Sequence, residues 1–302
     1  MTAPADFRAR DRIEWPTWAM LILTYAVWGW AVAGEMQPFA GAVMVALSAA
    51  LHSSLSHEAL HGHPTQNPTL NAALVFPALT LCIPYGRFRD THLAHHHDDI
   101  LTDPYDDPES NYLDPAVWAG LSRPWRAVLR FNNTLAGRLI VGPAVGMAAF
   151  IGGDIRAMRA GDRAVTREWL LHIPALALVL AFYAVLGTLP VWAFCLGSYA
   201  ALSILKIRTF LEHRAHDRAS ARTVVVEDRG PLALLFLNNN FHVVHHMHPC
   251  VAWYRLPALY ASRKADYLRR NGGYAYANYR DVFRRYFLRA KDPVPHPLWH
   301  RR

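Results

Sequence analysis

The stretch HEALHGH, His57 to His63, decides how this chain is read. Alone it contains H-E-x-x-H, in which His57 and His61 would hold a zinc and Glu58 would activate a water. It also stands where the second of several long apolar runs ends. The question is whether the glutamate matters, or whether the two histidines belong to a larger set.

The apolar runs come first. The chain has 302 residues, of which 53% are hydrophobic and 18% charged, against roughly 25% charged in ordinary soluble domains. Four segments can cross a bilayer, which takes about 20 apolar residues: 15–33, 38–56, 170–187 and 190–210. Trp15, Trp18, Trp28 and Trp30 lie near the ends of the first, as interface anchors do. GEMQP and GTLP join them in pairs, so two helical hairpins are expected. The polar N-terminal stretch MTAPADFRARDRIEWP has no cleavage site after it, so the first run is expected to stay as an anchor.

Charge then orients the spans. Arg8, Arg10 and Arg12 precede the first pair, Arg156, Arg159, Arg163 and Arg167 precede the second, and Lys206, Arg208 and an arginine-rich C-terminal region follow. The tight links carry only Glu35. The positive-inside rule places both termini in the cytoplasm. Two further apolar stretches, 70–85 and 134–151, are broken by Pro77, Pro84, Arg138 and Pro143, and are expected to lie along the interface or to dip in and return. The expected fold is an all-α integral membrane protein. A cytoplasmic helical cap (57–169 and 211–302) completes a single 1–302 domain. The net charge of +8 suits lipid headgroups or an acidic partner protein, and nucleic acid is not expected as a partner. Cys82, Cys195 and Cys250 form neither a disulfide framework nor a C-x-x-C site.

Seventeen histidines are the anomaly. Eight fall into three groups: His57 and His61; His92, His95 and His96 in HLAHH; His242, His245 and His246 in HVVHH. Spacings of three and four put side chains on one helix face. By the expected topology all three groups lie on one side of the membrane. Eight imidazoles are too many for one tetrahedral zinc and fit two metals with open positions.

The order HxxxH, HxxHH, spanning hairpin, HxxHH resembles the membrane-bound fatty acid desaturase family, over roughly 47–257. Hydroxylases and carotenoid ketolases share these boxes. The resemblance implies two iron ions held mainly by histidine, O2 as co-substrate, a lipid or acyl substrate, and an external donor of the ferredoxin, rubredoxin or cytochrome b5 type. It implies His57, His61, His92, His95, His96, His242, His245 and His246 as ligands. It also implies a further histidine near the end of the fourth span, for which RTFLEHRAH offers His213, nearer the membrane edge, before His216. Desaturation of a fatty acyl chain is the expected reaction. Hydroxylation, ketolation or oxidative decarboxylation is the alternative within the superfamily, and a zinc protease a remote one.

The remaining polar residues divide more plainly. Asp98 and Asp99 are the nearest carboxylates to the second box and are expected behind its rings, whereas Asp103 to Glu109 reads equally well as a solvated loop. One of Asn238, Asn239 and Asn240 could hold a metal-bound water, but the three read better as a turn and helix cap. His52, His63, His97 and His248 are expected beside the site or in solvent, and His172, His296 and His300 outside it. Glu58 lies about 100° round the helix from His57 and need not face the metals.

Overall fold

The computed structural model describes residues 4, 7, 11 and 13–299. Arg8, Arg10, Arg12 and His300 lie outside the described residues. The chain is mostly helical, and four helices are long and apolar enough to cross a membrane: Trp15–Ala33, Pro38–Leu60, Arg163–Leu186 and Val191–Thr209. Neither 70–85 nor 134–151 forms a fifth. The third helix begins before its apolar run because Asp162 caps it, accepting from the N–H groups of Ala164 and Val165.

Helix packing among the four is carried by small residues. The second and fourth long helices meet through Ala42, Val45 and Ala49 on one and Ala193, Gly197 and Ala201 on the other, all buried. A Cβ at Gly197 would lie 2.7 Å from the Ala42 carbonyl oxygen and 2.8 Å from Val45 Cβ, so only glycine allows this approach. The two tight links touch: Thr188 N–H donates to Val32 O at 2.9 Å, and Thr188 Oγ1 donates to Gly34 O at 2.9 Å.

The interrupted apolar stretches pack on this bundle. Residues 75–84 are largely irregular, with Val75 and Leu79 buried. Their backbone polar groups find protein partners: Ala78 N–H donates to Ala175 O, and Leu81 O accepts from His172 Nε2 at 2.9 Å. Irregular backbone at membrane depth is stable only when satisfied in this way. The 134–151 stretch becomes two helices, Leu135–Ile140 and Gly142–Arg159, broken where Pro143 follows Gly142.

Beside the helices, Val225–Val226 and Ala275–Tyr276 form a small two-stranded parallel sheet, in register Val225 with Ala275 and Val226 with Tyr276. Two residues a side are too few to show an alternating pattern in the sequence. The pair matters because of what else binds its first strand. Arg214 N–H donates to Arg222 O and Val224 N–H to Glu212 O, tying down the segment around His213. On the other side Val226 N–H donates to Asn240 O and Val243 N–H to Val224 O, tying down the third histidine box. A short strand therefore brings together two histidine-bearing segments about thirty residues apart.

Candidate metal centre

Each histidine group sits at the end of a helix, where i, i+3 and i+4 side chains converge. His57 is in the last turn of the second long helix and His61 caps it. His92 and His95 end the helix Tyr85–His95, with His96 as its cap. His242, His245 and His246 lie on the short helix His242–Met247. His213 follows the fourth long helix and bridges to Thr223.

The three boxes and His213 meet in two groups. His57, His61, His92, His96 and His245 form one, and His95, His213, His242 and His246 the other. Within each, one donor atom per residue lies within 4.8 Å of all the rest, close enough to hold a metal ion. His216 belongs to neither group. It accepts from Arg218 N–H at 3.1 Å instead.

The chemistry of the donors fits a cation. In the group of five, His92 Nδ1 donates to Glu109 Oε1 at 3.0 Å, which turns its Nε2 toward the other rings. His96 Nε2 lies 2.9 Å from His92 Nε2 and 3.2 Å from His245 Nε2, and one proton there serves only one of the two. The Nε2 atoms of His57 and His61 are buried without a partner. Burial, followed by repulsion from neighbouring imidazoles, holds His61 and His245 well below the ordinary histidine value, and His96 falls to about 3. His61, His96 and His245 are therefore held neutral, and neutral imidazole is the form that binds metal.

In the group of four, burial and neighbouring histidines likewise hold His213, His242 and His246 low. His95 differs. Burial opposes its charging, but Glu109 and Asp107 outweigh burial and raise it to about 9. In the metal-free chain a proton on His95 Nε2 can bridge the 2.8 Å to His213 Nε2. A bound metal would take that proton's place.

Behind the rings the structure departs from the sequence reading. Asp98 is paired with Arg270, and neither it nor Asp99 supports a box histidine. The supports come from the loop beyond. Asp107 Oδ1 accepts from His95 Nδ1 at 2.7 Å, and Glu109 holds His92. Asn239 Oδ1 lies 3.1 Å from His242 Nδ1, a role the cap reading missed. The loop that presents the carboxylates is itself fastened: Asp107 Oδ2 accepts Thr102 N–H at 2.8 Å, and Arg222 Nη1 donates to Leu101 O at 2.7 Å. Such contacts fix ring tautomer and orientation.

Glu58 is buried and accepts the Trp253 N–H through Oε2 at 3.2 Å. Its Oε1 lies 3.5 Å from His57 Nδ1, on the side of the ring away from the unpartnered Nε2. It thus sits behind a ring and not opposite a metal position, where a protease base would stand. The flanking histidines are accounted for elsewhere. His52 bonds Tyr25, His63 bonds Glu14, His296 contacts Thr102, His248 packs on Tyr267 and His97 is exposed.

A cavity of about 680 Å3 opens beside His95 and His213. Leu79, Ile83, Met147, Phe150, Leu202 and Leu205 form the apolar part of its wall.

Fold and site together combine four helices long and apolar enough to cross a membrane with nine clustered histidines that could hold metal, beside a cavity with a partly apolar wall. The fatty acid desaturase family model matches residues 35–278, and the chain belongs to that family. It is also 27% identical, over 212 residues, to a beta-carotene ketolase of Paracoccus sp. (strain N81106 / MBIC 01143), covering 68% of this chain and 71% of the relative. Family and relative agree in making this chain an oxidoreductase of one superfamily.

Proposed function

We propose that this chain is an O2-dependent, non-haem di-iron oxidoreductase that desaturates a fatty acyl chain, carried as an acyl-lipid or acyl-thioester. The observation that carries the reading is the division of nine buried or half-buried histidines into groups of five and four beside a cavity with a partly apolar wall. His57, His61, His92, His96 and His245 would hold one iron, and His95, His213, His242 and His246 the other. Bound iron supplies what no side chain offers, the oxidation by O2 of unactivated C–H bonds.

The protein's own residues do the rest. Asp107, Glu109 and Asn239 hold the rings of His95, His92 and His242 in the tautomer that presents Nε2 inward. The apolar wall holds an alkyl chain and excludes water from it. Loss of two neighbouring hydrogens gives an alkene. Retention of oxygen gives an alcohol or ketone, and the ketolase relative is the observation that favours this second reading. In this proposal the spans are two hairpins with both termini and the histidine site cytoplasmic. Electrons come from a separate ferredoxin-, rubredoxin- or cytochrome b5-like donor, for which the arginine-rich C-terminal region is the docking face.

Lipid profiling of cells expressing the chain, against a His245→Ala control, tests the reaction. A new double bond absent from the control supports desaturation, and an added oxygen supports the second reading. No difference between the two overturns both.

A further inference from the structure

The wall of the cavity beside His95 and His213 carries unmatched positive charge. Its carboxylates are all engaged. Asp154 accepts two hydrogen bonds from Arg87, each 2.9 Å. Glu212 lies 3.1 Å from Arg208 Nε, and Asp292 3.2 Å from Lys291 Nζ. Asp107 and Glu109 are held by His95 and His92.

Two buried or half-buried cations in the same wall have no carboxylate in contact; Glu109 and Glu212 reach Lys206 only at longer range, and Arg156, also without one, is exposed. Arg138 is 5% exposed and donates only to neutral oxygens, Asn132 O at 2.9 Å and Asn111 Oδ1 at 2.5 Å. Lys206 makes neither a hydrogen bond nor an ion pair among the described residues. The two side chains converge over the glycine face of the helix Gly142–Arg159. A Cβ at Gly142 would lie 3.5 Å from Lys206 Cγ and 3.6 Å from Arg138 Cδ, and one at Gly146 would lie 3.2 Å from Lys206 Nζ. The glycines leave room for the lysine to lie flat along this helix. One turn before Lys206, Leu202 lines the same cavity, together with Met147. The cationic corner therefore adjoins apolar wall.

A charge withdrawn from water is costly unless matched. Two of them beside an apolar continuation suit a ligand with an anionic end and an apolar body. We infer that Lys206 and Arg138 bind the anionic end, carboxylate or phosphate, of the apolar chain this protein oxidises. The inference rests on the proposed oxidation of such a chain; a phosphate end would belong to the acyl-lipid or acyl-thioester proposed above, and a carboxylate end to a free fatty acid in its place.

The test is equilibrium binding of radiolabelled palmitate, hexadecyl phosphate and hexadecanol to the purified metal-loaded protein in phosphatidylcholine nanodiscs, with empty nanodiscs subtracted. At least one anion should bind about tenfold or more tightly than hexadecanol, the worth of one charge-assisted contact. Which anion binds tighter identifies carboxylate or phosphate. Lys206→Met should remove most of that preference without changing hexadecanol binding, and Lys206→Arg should restore it. Hexadecanol binding as tight as both anions in the unmutated protein overturns the inference, independently of how any variant folds. So does a Lys206→Met protein with the preference intact. The two proposals fail separately. Charge-dependent binding in a chain that yields no oxidised lipid would leave this site standing and remove the reaction, and oxidation without the preference would do the reverse.

Discussion

Asp107→Asn isolates the part of the site that the histidine spacing does not contain. Asp107 is buried, and its two oxygens accept three bonds: His95 Nδ1 at 2.7 Å and Glu109 N–H at 2.9 Å on Oδ1, and Thr102 N–H at 2.8 Å on Oδ2. All three partners are donors. An asparagine of the same shape has one acceptor oxygen and one NH2. With the NH2 toward His95, two donors face each other there. With it toward Thr102, the clash moves to the loop backbone. Either way a buried donor is left unmatched, at about 1–3 kcal/mol, unless His95 changes tautomer and turns the wrong nitrogen inward. At about 1.4 kcal/mol per tenfold, this corresponds to roughly a 10- to 100-fold loss in metal affinity or activity, the range seen when supports behind metal-binding histidines are removed. The assay is iron per chain after purification, alongside oxidised product per chain. Asp106→Asn, an exposed neighbour in the same loop, should leave both within about twofold. Full iron content and product with Asp107→Asn, or equal losses in the two variants, would refute this account of the loop.

Glu58→Gln should keep about a tenth or more of the activity, because glutamine can still accept the Trp253 N–H, which holds the loss to at most about the tenfold low end for a support behind one ring. His57→Ala and His61→Ala should abolish product, and a dead Glu58→Gln protein with full metal content would reopen a protease-like role. Gly197→Ala should cost about 1–3 kcal/mol by forcing apart the second and fourth long helices. Thermal unfolding in detergent checks this, and an unchanged midpoint would contradict the tight crossing. His213→Ala should lower both iron content and product, whereas His216→Ala should leave both unchanged. Equal effects from these two would contradict the grouping of His213 with His95, His242 and His246.

The sequence made some of this visible because two periodicities survive in it. Runs of about 20 apolar residues mark the long helices, and three- and four-residue histidine spacings mark faces of helix ends. Convergence of the boxes is readable from those spacings together with the side of the membrane. The carboxylate supports are not. Asp98 is the nearest acid to HLAHH in sequence, but Arg270 draws it away. Asp107 and Glu109 reach back from a proline-broken loop whose return path depends on Thr102 in a left-handed conformation, φ 70°, and on Arg222 from a distant segment. No local pattern encodes such a return. Asn239 escaped for a similar reason. It lies in a turn where Leu237 and Asn238 take positive φ, so it reads as a cap while its side chain meets His242. The short parallel strand pair was invisible because two residues carry no alternation, yet it sets the distance between His213 and the third box.

Nine histidines are proposed to form one two-metal centre in place of an H-E-x-x-H zinc site. Metal analysis of the purified protein, compared with its His61→Ala and His213→Ala variants, tests it most directly, because each variant strikes one of the two groups. About two irons per chain are expected, falling to about one or fewer in either variant, with histidine as the principal ligand. One zinc per chain, undisturbed by His213→Ala, would contradict it.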